Sequence, residues 1–368
     1  MRAFLSLLIV VMFVPALFIG LHAQGEATVL FLMINPGARQ GGMGEAGVAL
    51  ASDANAIYWN PAGLAFQYND PEVDKKGEAT LMHVNWLPQF NLGDMYYDFA
   101  AGRYYIPDVG TVGLGIQYMN YGKSIYTDET GPDPLGEFNS SEAAVTASYA
   151  LKVKENVGVG VNLKYIYSRL SPKEVQVGAE KGRGIASSFA VDIGALYHPG
   201  FAKNLSLGAN ISNIGPKISY VDYAQADPLP TNLRLGFAYH LFKSQYNTLT
   251  LVYDTNRLLV HRYTTEDSVN VVDGVFKAMF YSTWKGGGFS GQLKKFTHSL
   301  GLEYWYTDLI ALRMGYFYED PSAGGRKFWT FGGGLRYSVF GFDFSYIYAS
   351  VNDHPLSDTM RFSLGIQF

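Results

Sequence analysis

The feature that most limits what this chain can fold into is a two-residue alternation, carried in segments of about ten residues that recur from Gly77 to Phe368. Val159, Val161, Leu163, Tyr165 and Tyr167 fall on one face of such a segment, and Gly158, Gly160, Asn162, Lys164 and Ile166 on the other. The same rule sets Leu233, Leu235, Phe237, Tyr239 and Leu241 against Arg234, Gly236, Ala238 and His240. It also sets Ile310, Leu312, Met314, Tyr316 and Tyr318 against Ala311, Arg313, Gly315 and Phe317. A strand of this kind must lie between two different environments. Soluble sandwiches alternate too, but their strands run to about 5 or 6 residues, whereas a tilted membrane strand needs about 9 to 11.

Strands are expected over 77–86, 95–106, 109–121, 142–154, 156–170, 185–198, 204–214, 231–242, 246–260, 275–285 or 296–306, 309–319, 327–338, 340–351 and 358–368. Taking 275–306 as one crossing gives about fourteen, an even number as bacterial barrels require. The connections sort themselves by length. Pro107-Asp108, Glu155, 198–204, 243–245, Thr307-Asp308 and Val339 are tight; 122–141, 171–184, 215–230, 261–295 and 320–326 are long. Short periplasmic turns facing long external loops are the mark of an outer-membrane barrel, and a sandwich has no reason to sort its loops this way. Tyr96, Tyr97, Tyr104, Tyr105, Trp284, Tyr304, Trp305, Tyr306, Tyr346 and Tyr348 crowd the segment ends, as rings at two lipid interfaces would. The fold expected is all-β: a transmembrane antiparallel β-barrel behind a short N-terminal plug.

Composition agrees and excludes several functions. Charged residues make up 16% and aromatic residues 15% of the chain, against about 25% charged in average soluble domains. A net charge of -4 leaves no basic surface for a phosphate backbone, so nucleic acid is not an expected partner. With no cysteine, disulfides, thiolate metal sites and cysteine nucleophiles are all out of reach. Arg2, the apolar run from Ala3 to Leu21 and a small-residue site after Ala23 read as a secretory signal, giving a signal over 1–23, a plug over 24–76 and a barrel over 77–368. The end of the chain keeps Phe362, Leu364, Ile366 and Phe368 on one face, the arrangement expected of a C-terminal signal for assembly into the outer membrane.

Between the presumed signal and the first strand lies a dense run of glycine. Gly42, Gly44 and Gly47 satisfy G-x-G-x-x-G, but no strand–helix–strand unit surrounds them, so a dinucleotide site is not expected and no cofactor is called. Glycines this close together let backbone approach backbone, as a segment inside a narrow barrel must. Asn60 before Pro61 reads as a helix N-cap followed by proline in the first turn. The run Gly41-Gly42-Met43-Gly44-Glu45-Ala46-Gly47, then Asp53, then Tyr58-Trp59-Asn60-Pro61-Ala62, resembles the N-terminal signature of the PorV family (PorV/PorQ-like) of outer-membrane proteins in the type IX secretion system. That family is itself similar to FadL-type transporters, whose fourteen-stranded barrels carry a hatch with an Asn-Pro-Ala motif. Gly63 departs from the lysine expected after that motif, which leaves a divergent PorQ-like branch open beside PorV proper.

The resemblance implies a non-enzymatic protein of the cell outer membrane. It would bind a much larger translocon subunit, receive exported proteins that carry C-terminal sorting domains, and contact outer-membrane lipid. Its working surfaces would be external loops, with 124–139 and 264–295 the first choices. The alternative is a FadL-like transporter of long-chain fatty acids or other hydrophobic compounds, which calls for an apolar luminal pocket near the hatch, bordered by Phe66. Enzymatic chemistry is disfavoured because no Gly-x-Ser-x-Gly elbow occurs and the histidines are scattered. Glu266-Asp267 and Glu319-Asp320 could hold calcium, but solvated charge is the commoner use of such loop pairs.

Overall fold

In lipid an open sheet edge would leave its N–H and C=O groups without partners, so a membrane sheet has to close on itself. The computed structural model of the protein describes residues 27–68, 75–90, 94–128, 131–171, 175–177, 180–182, 184–220, 226–264, 270–349 and 354–368. The presumed signal over 1–23 lies outside the described residues. Fourteen strands form a closed barrel: β1 (Gly77–Asn85), β2 (Tyr96–Ile106), β3 (Gly110–Asp128), β4 (Gly131–Lys154), β5 (Val157–Arg169), β6 (Ile185–Tyr197) and β7 (Leu205–Ile214) make the first half. The second half is β8 (Asn232–Lys243), β9 (Asn247–Leu258), β10 (Thr297–Tyr306), β11 (Ile310–Glu319), β12 (Lys327–Tyr337), β13 (Phe340–Tyr348) and β14 (Met360–Gln367). Each strand pairs antiparallel with its sequence neighbour, and β1 closes the ring on β14 from Glu78↔Gln367 to His83↔Phe362.

The alternation sorts side chains as the sequence requires. Along β5 the odd positions Val159, Val161, Leu163, Tyr165 and Tyr167 are exposed on the outer wall, while Gly158 through Ser168 on the even positions are buried. The outer wall is the lipid face, and the inner wall carries the polar and small residues. Phe362, Leu364, Ile366 and Phe368 all project outward from β14 and its end.

Three expectations need correction. Residues 275–285 are not a strand: Val275–Phe280 is an α-helix and Ser282–Trp284 a 3-10 turn, and the crossing there is β10. Phe276 and Phe280 are four apart, a spacing that puts them on one face of a helix or of a strand alike, so periodicity alone could not decide this stretch. Residues 124–139 are not an irregular loop, because β3 and β4 continue to pair beyond the membrane strands, with Lys123↔Asn139 and Ile125↔Glu137 in register after a shift at Asn120. The proposed aromatic girdle was over-counted. Tyr97 is fully buried in the lumen against Gln117, Trp305 lines a luminal cavity, and Trp284 sits in the connection after β9. Neighbouring residues on a strand point to opposite faces, so a Tyr-Tyr or Trp-Tyr pair can lend only one ring to lipid.

Candidate functional site

The barrel is filled by its own N-terminal segment, residues 27–68. Because this plug has little regular structure, its backbone groups must find partners on the wall. Ala38–Gly41 and Ala56–Trp59 form single helical turns, and Pro61–Phe66 a 3-10 helix. At the start of the last, the Asn60 side chain accepts a hydrogen bond from Ala62 N at 3.1 Å with Pro61 in the first turn, as expected of a cap. Asn60 also reaches further: its Nδ2 donates to Val48 O at 2.9 Å and to Ala195 O on β6 at 3.0 Å, tying two parts of the plug to the wall.

The signature residues form one continuous track around the inner wall. Gly41 lies under Ser345 and Arg361, and Gly42 comes within contact distance of Gly332 on β12. Met43, fully buried, crosses Gly301 of β10 and Gly315 of β11, where a single added Cβ at Gly315 would stand 2.0 Å from Gly44 N. Gly44 takes a left-handed φ of 68°, which glycine adopts without strain, and its N–H donates to Thr330 Oγ1 at 2.7 Å. The N–H groups of Gly47 and Val48 both donate to Asp254 Oδ2, at 2.7 and 2.8 Å. Thus the amides that would cradle a phosphate in a dinucleotide fold are taken by a carboxylate and a hydroxyl of the barrel itself. Val48 then passes Gly208 and Gly236, and Pro61 and Ala62 pass Gly194 and Gly160, each too close for any side chain on the strand. Asp53 receives Asn55 N at 3.0 Å and pairs with Arg39 at 3.2 Å.

Gly63 has a physical reason for departing from lysine: a Cβ there would come within 2.1 Å of Ala51 O. The plug turns back on itself at that point with no space for a side chain.

Ion pairs fasten the same track. Arg39 of the plug binds Glu303 of β10 through two hydrogen bonds at 2.7 and 2.8 Å, Glu303 also holds Arg313 at 2.8 Å, and Arg313 reaches Asp343 at 2.8 Å. Burial alone would lower the Arg39 pKa, but Glu303, with Asp53 and Asp343, outweighs it and holds the guanidinium above its ordinary value. On the next strand, Arg361 of β14 binds Glu45 at 2.6 Å. Arg234 of β8 lies over the rings of Trp59 and Tyr58, 4.5 and 5.3 Å from their centroids, and donates to Asn35. These wall charges were not singled out from sequence, although Arg234 and Arg313 stand there on the inward faces of largely apolar strands.

An apolar cluster occupies part of the lumen. Phe31, Leu32 and Ile34 pack against Met82, Val84, Tyr97, Phe99, Met119 and Ile166, with Ile218 and Leu229 above them. The cavity bordered by Phe66, of about 470 Å³, is at the periplasmic mouth, and its lining is mixed: Leu50, Ala51 and Leu196 stand beside Lys152, Glu155 and His198. His198 closes its periplasmic turn through Ser206 at 2.9 Å. Glu319 is held by Arg326 at 2.8 and 3.0 Å and Asp320 by Ser322, while Glu266-Asp267 lies outside the described residues.

The family described as "Type IX secretion system protein PorV" matches residues 23–265, more than half of the chain and all of the plug track. The chain belongs to the PorV family. Its barrel and localisation follow: it is an outer-membrane β-barrel of the type IX secretion system. Among solved structures the fold is similar to the toluene transporter TbuX of Ralstonia pickettii, with 13% identity, a TM-score of 0.54, and 91% of this chain and 98% of that chain covered. It is likewise similar to the toluene transporter TodX of Pseudomonas putida, with 15% identity, a TM-score of 0.52 and 90% and 96% covered. A comparison with curated proteins returned no match. At these identities the likeness establishes the fold and no more. Both family and fold are those of secretion and transport barrels, not of enzymes.

Proposed function

We propose that this PorV-family protein works through its outer surfaces: it binds the large outer-membrane translocon subunit and receives exported proteins bearing C-terminal sorting domains. The observation that supports the reading is the plug. Its signature glycines and Asn60 are fitted to strand glycines all around the wall, and the apolar compartment that a hydrophobic compound would need is occupied by the chain's own Phe31, Leu32 and Ile34. A barrel filled in this way has its long external connections left for recognition. In this reading Gly41, Gly42, Met43, Gly44, Gly47, Asp53, Asn60, Pro61 and Ala62 are the plug's seat. The outward row Phe362, Leu364, Ile366 and Phe368 is the assembly signal, and deleting Phe368 should lower the amount of assembled barrel.

The function is tested by deleting the gene and by purifying the protein in mild detergent. Proteins with C-terminal sorting domains should accumulate in the periplasm, and a much larger outer-membrane subunit should co-purify. A barrel that purifies alone, in cells that export normally but cannot take up a long-chain or aromatic compound, would overturn it in favour of transport.

A further inference from the structure

The connection between β9 and β10 disposes of its apolar side chains differently from the rest of the described chain. Its two short helices, Val275–Phe280 and Gly288–Leu293, sit over the external mouth. Ala278 and Met279 are buried, and Ala278 borders a cavity of about 210 Å³ shared with Leu229, Thr231 and Leu259. The opposite side of the first helix turns away from the barrel, and there Phe276 and Phe280, one helical turn apart, are 66% and 72% exposed; on the second helix Phe289 is 82% exposed. Scattered apolar residues on a water-facing surface need no explanation, but several large aromatics on one cap mark a contact site.

Charge narrows what that contact is. Residues 275–295 contain four lysines and no Asp or Glu, in a chain whose net charge is -4. Lys277 is met by Asp273 at 2.6 Å, and Lys285 lies over the Tyr281 ring at 4.0 Å. The cap is also held in shape. Arg257 of β9 donates to Thr283 O and stacks on Trp284 at 4.1 Å, Trp284 Nε1 donates to Met279 O at 2.6 Å, and Gln292 Nε2 donates to Gly286 O at 2.6 Å. Rigid aromatics cost little entropy when they are covered, which suits a preformed binding face.

Resting on the secretion reading above, we propose that this cap is the docking surface for the exported polypeptide, through a segment of that partner which offers apolar side chains flanked by carboxylates. The exposed phenylalanines belong to a connection beyond the external ends of β9 and β10, the side on which a released protein would stand. Aromatics and lysines carried on the same cap give affinity from the first and orientation from the second.

To test this, Phe289 and, as a control, the exposed Phe201 of a periplasmic turn are each replaced by benzoylphenylalanine in the full-length protein in its own membrane. Illumination should link position 289, and not 201, to peptides of proteins with C-terminal sorting domains. Adducts with lipopolysaccharide alone, or none, overturn the proposal. In parallel, Lys285→Glu, Lys294→Glu and Lys295→Glu together should weaken binding of a purified sorting domain about tenfold or more, with heat-modifiable migration of the barrel unchanged. Should the triple variant fail to assemble, Phe289→Ser alone carries the same expectation. If gene deletion blocks export while these variants bind and export normally, the cap proposal falls and the secretion reading stands. If deletion leaves export intact, both fall.

Discussion

The plug fills the lumen and the cap belongs to an external connection, and the two treat their apolar residues in opposite ways. Plug residues Ala38, Met43, Ala46, Val48, Ala54, Trp59, Ala62 and Leu64 have no exposed surface, and their backbone runs against strand glycines. The cap buries Ala278 and Met279 and leaves its phenylalanines outside. The plug is held by charges and amides from many strands around the ring; the cap hangs chiefly on Arg257 and on bonds within itself. A segment with wall contacts all round is shaped to stay. One with a single strong anchor and an apolar outer face is shaped to be met.

If that contrast is right, the largest loss of stability should come from the plug's buried charges. Glu303→Ala would leave Arg39 and Arg313 without the carboxylate they share, both almost entirely buried. Removing one partner of a buried ion pair costs about 3–5 kcal/mol. Guanidinium unfolding of the detergent-solubilised barrel should show it, and an unchanged midpoint would mean that the plug is not seated by this network. The next effect down is steric. Gly315→Ala places a Cβ against the Gly44 backbone, which has no rotamer to yield, at about 1–3 kcal/mol. Gly333→Ala points outward with its nearest neighbour 3.8 Å away and should stay within about 0.5 kcal/mol of the parent. Equal losses at both positions would break the distinction between wall and lipid face.

Much of this architecture was legible because alternation leaves few choices. Strand number, closure, the sorting of short and long connections, and the outward row from Phe362 to Phe368 all follow from period and spacing. What stayed hidden depends on pairing across the ring. Nothing near Gly315 in the sequence announces Gly44, and Asp254 reads as one inward polar residue until Gly47 and Val48 are laid on it. The cap was left open between strand and connection for a local reason: the apolar stretch 275–285 and the segment 296–306 could each have supplied the one crossing needed there. The plug comes close to Gly160, Gly194, Gly208 and Gly236, which in the sequence looked like ordinary small residues of the inner face.

A smaller effect is expected at the turn of the plug. Asn60→Ala removes the acceptor for Ala62 N and both donations to Val48 O and Ala195 O, leaving buried carbonyls without partners. Loss of a cap with such a bond costs about 1–2 kcal/mol. Asn60→Asp keeps the acceptor but not the donor, so it should recover only part of the loss. Full recovery would assign the whole effect to the cap and none to the tie between plug and β6.

The smallest global effect is expected from the cap's anchor. Arg257→Ala takes away the donor to Thr283 O and Gln292 and the cation beneath Trp284 and Phe296. Because those contacts hold a segment that shares little with the ring of strand pairs, the unfolding midpoint should move by less than about 0.5 kcal/mol. The local consequence should be plain: amides of Val275–Phe280 and Gly288–Leu293 should exchange with solvent faster, since few other contacts oppose their opening, while plug amides such as Gly44 and Gly47 keep their protection. Export should fall with the loosening, because the phenylalanines would no longer be presented as one face. Were plug and cap amides to lose protection together, the two segments would be a single cooperative unit, and the division between a part that stays and a part that is met would fail.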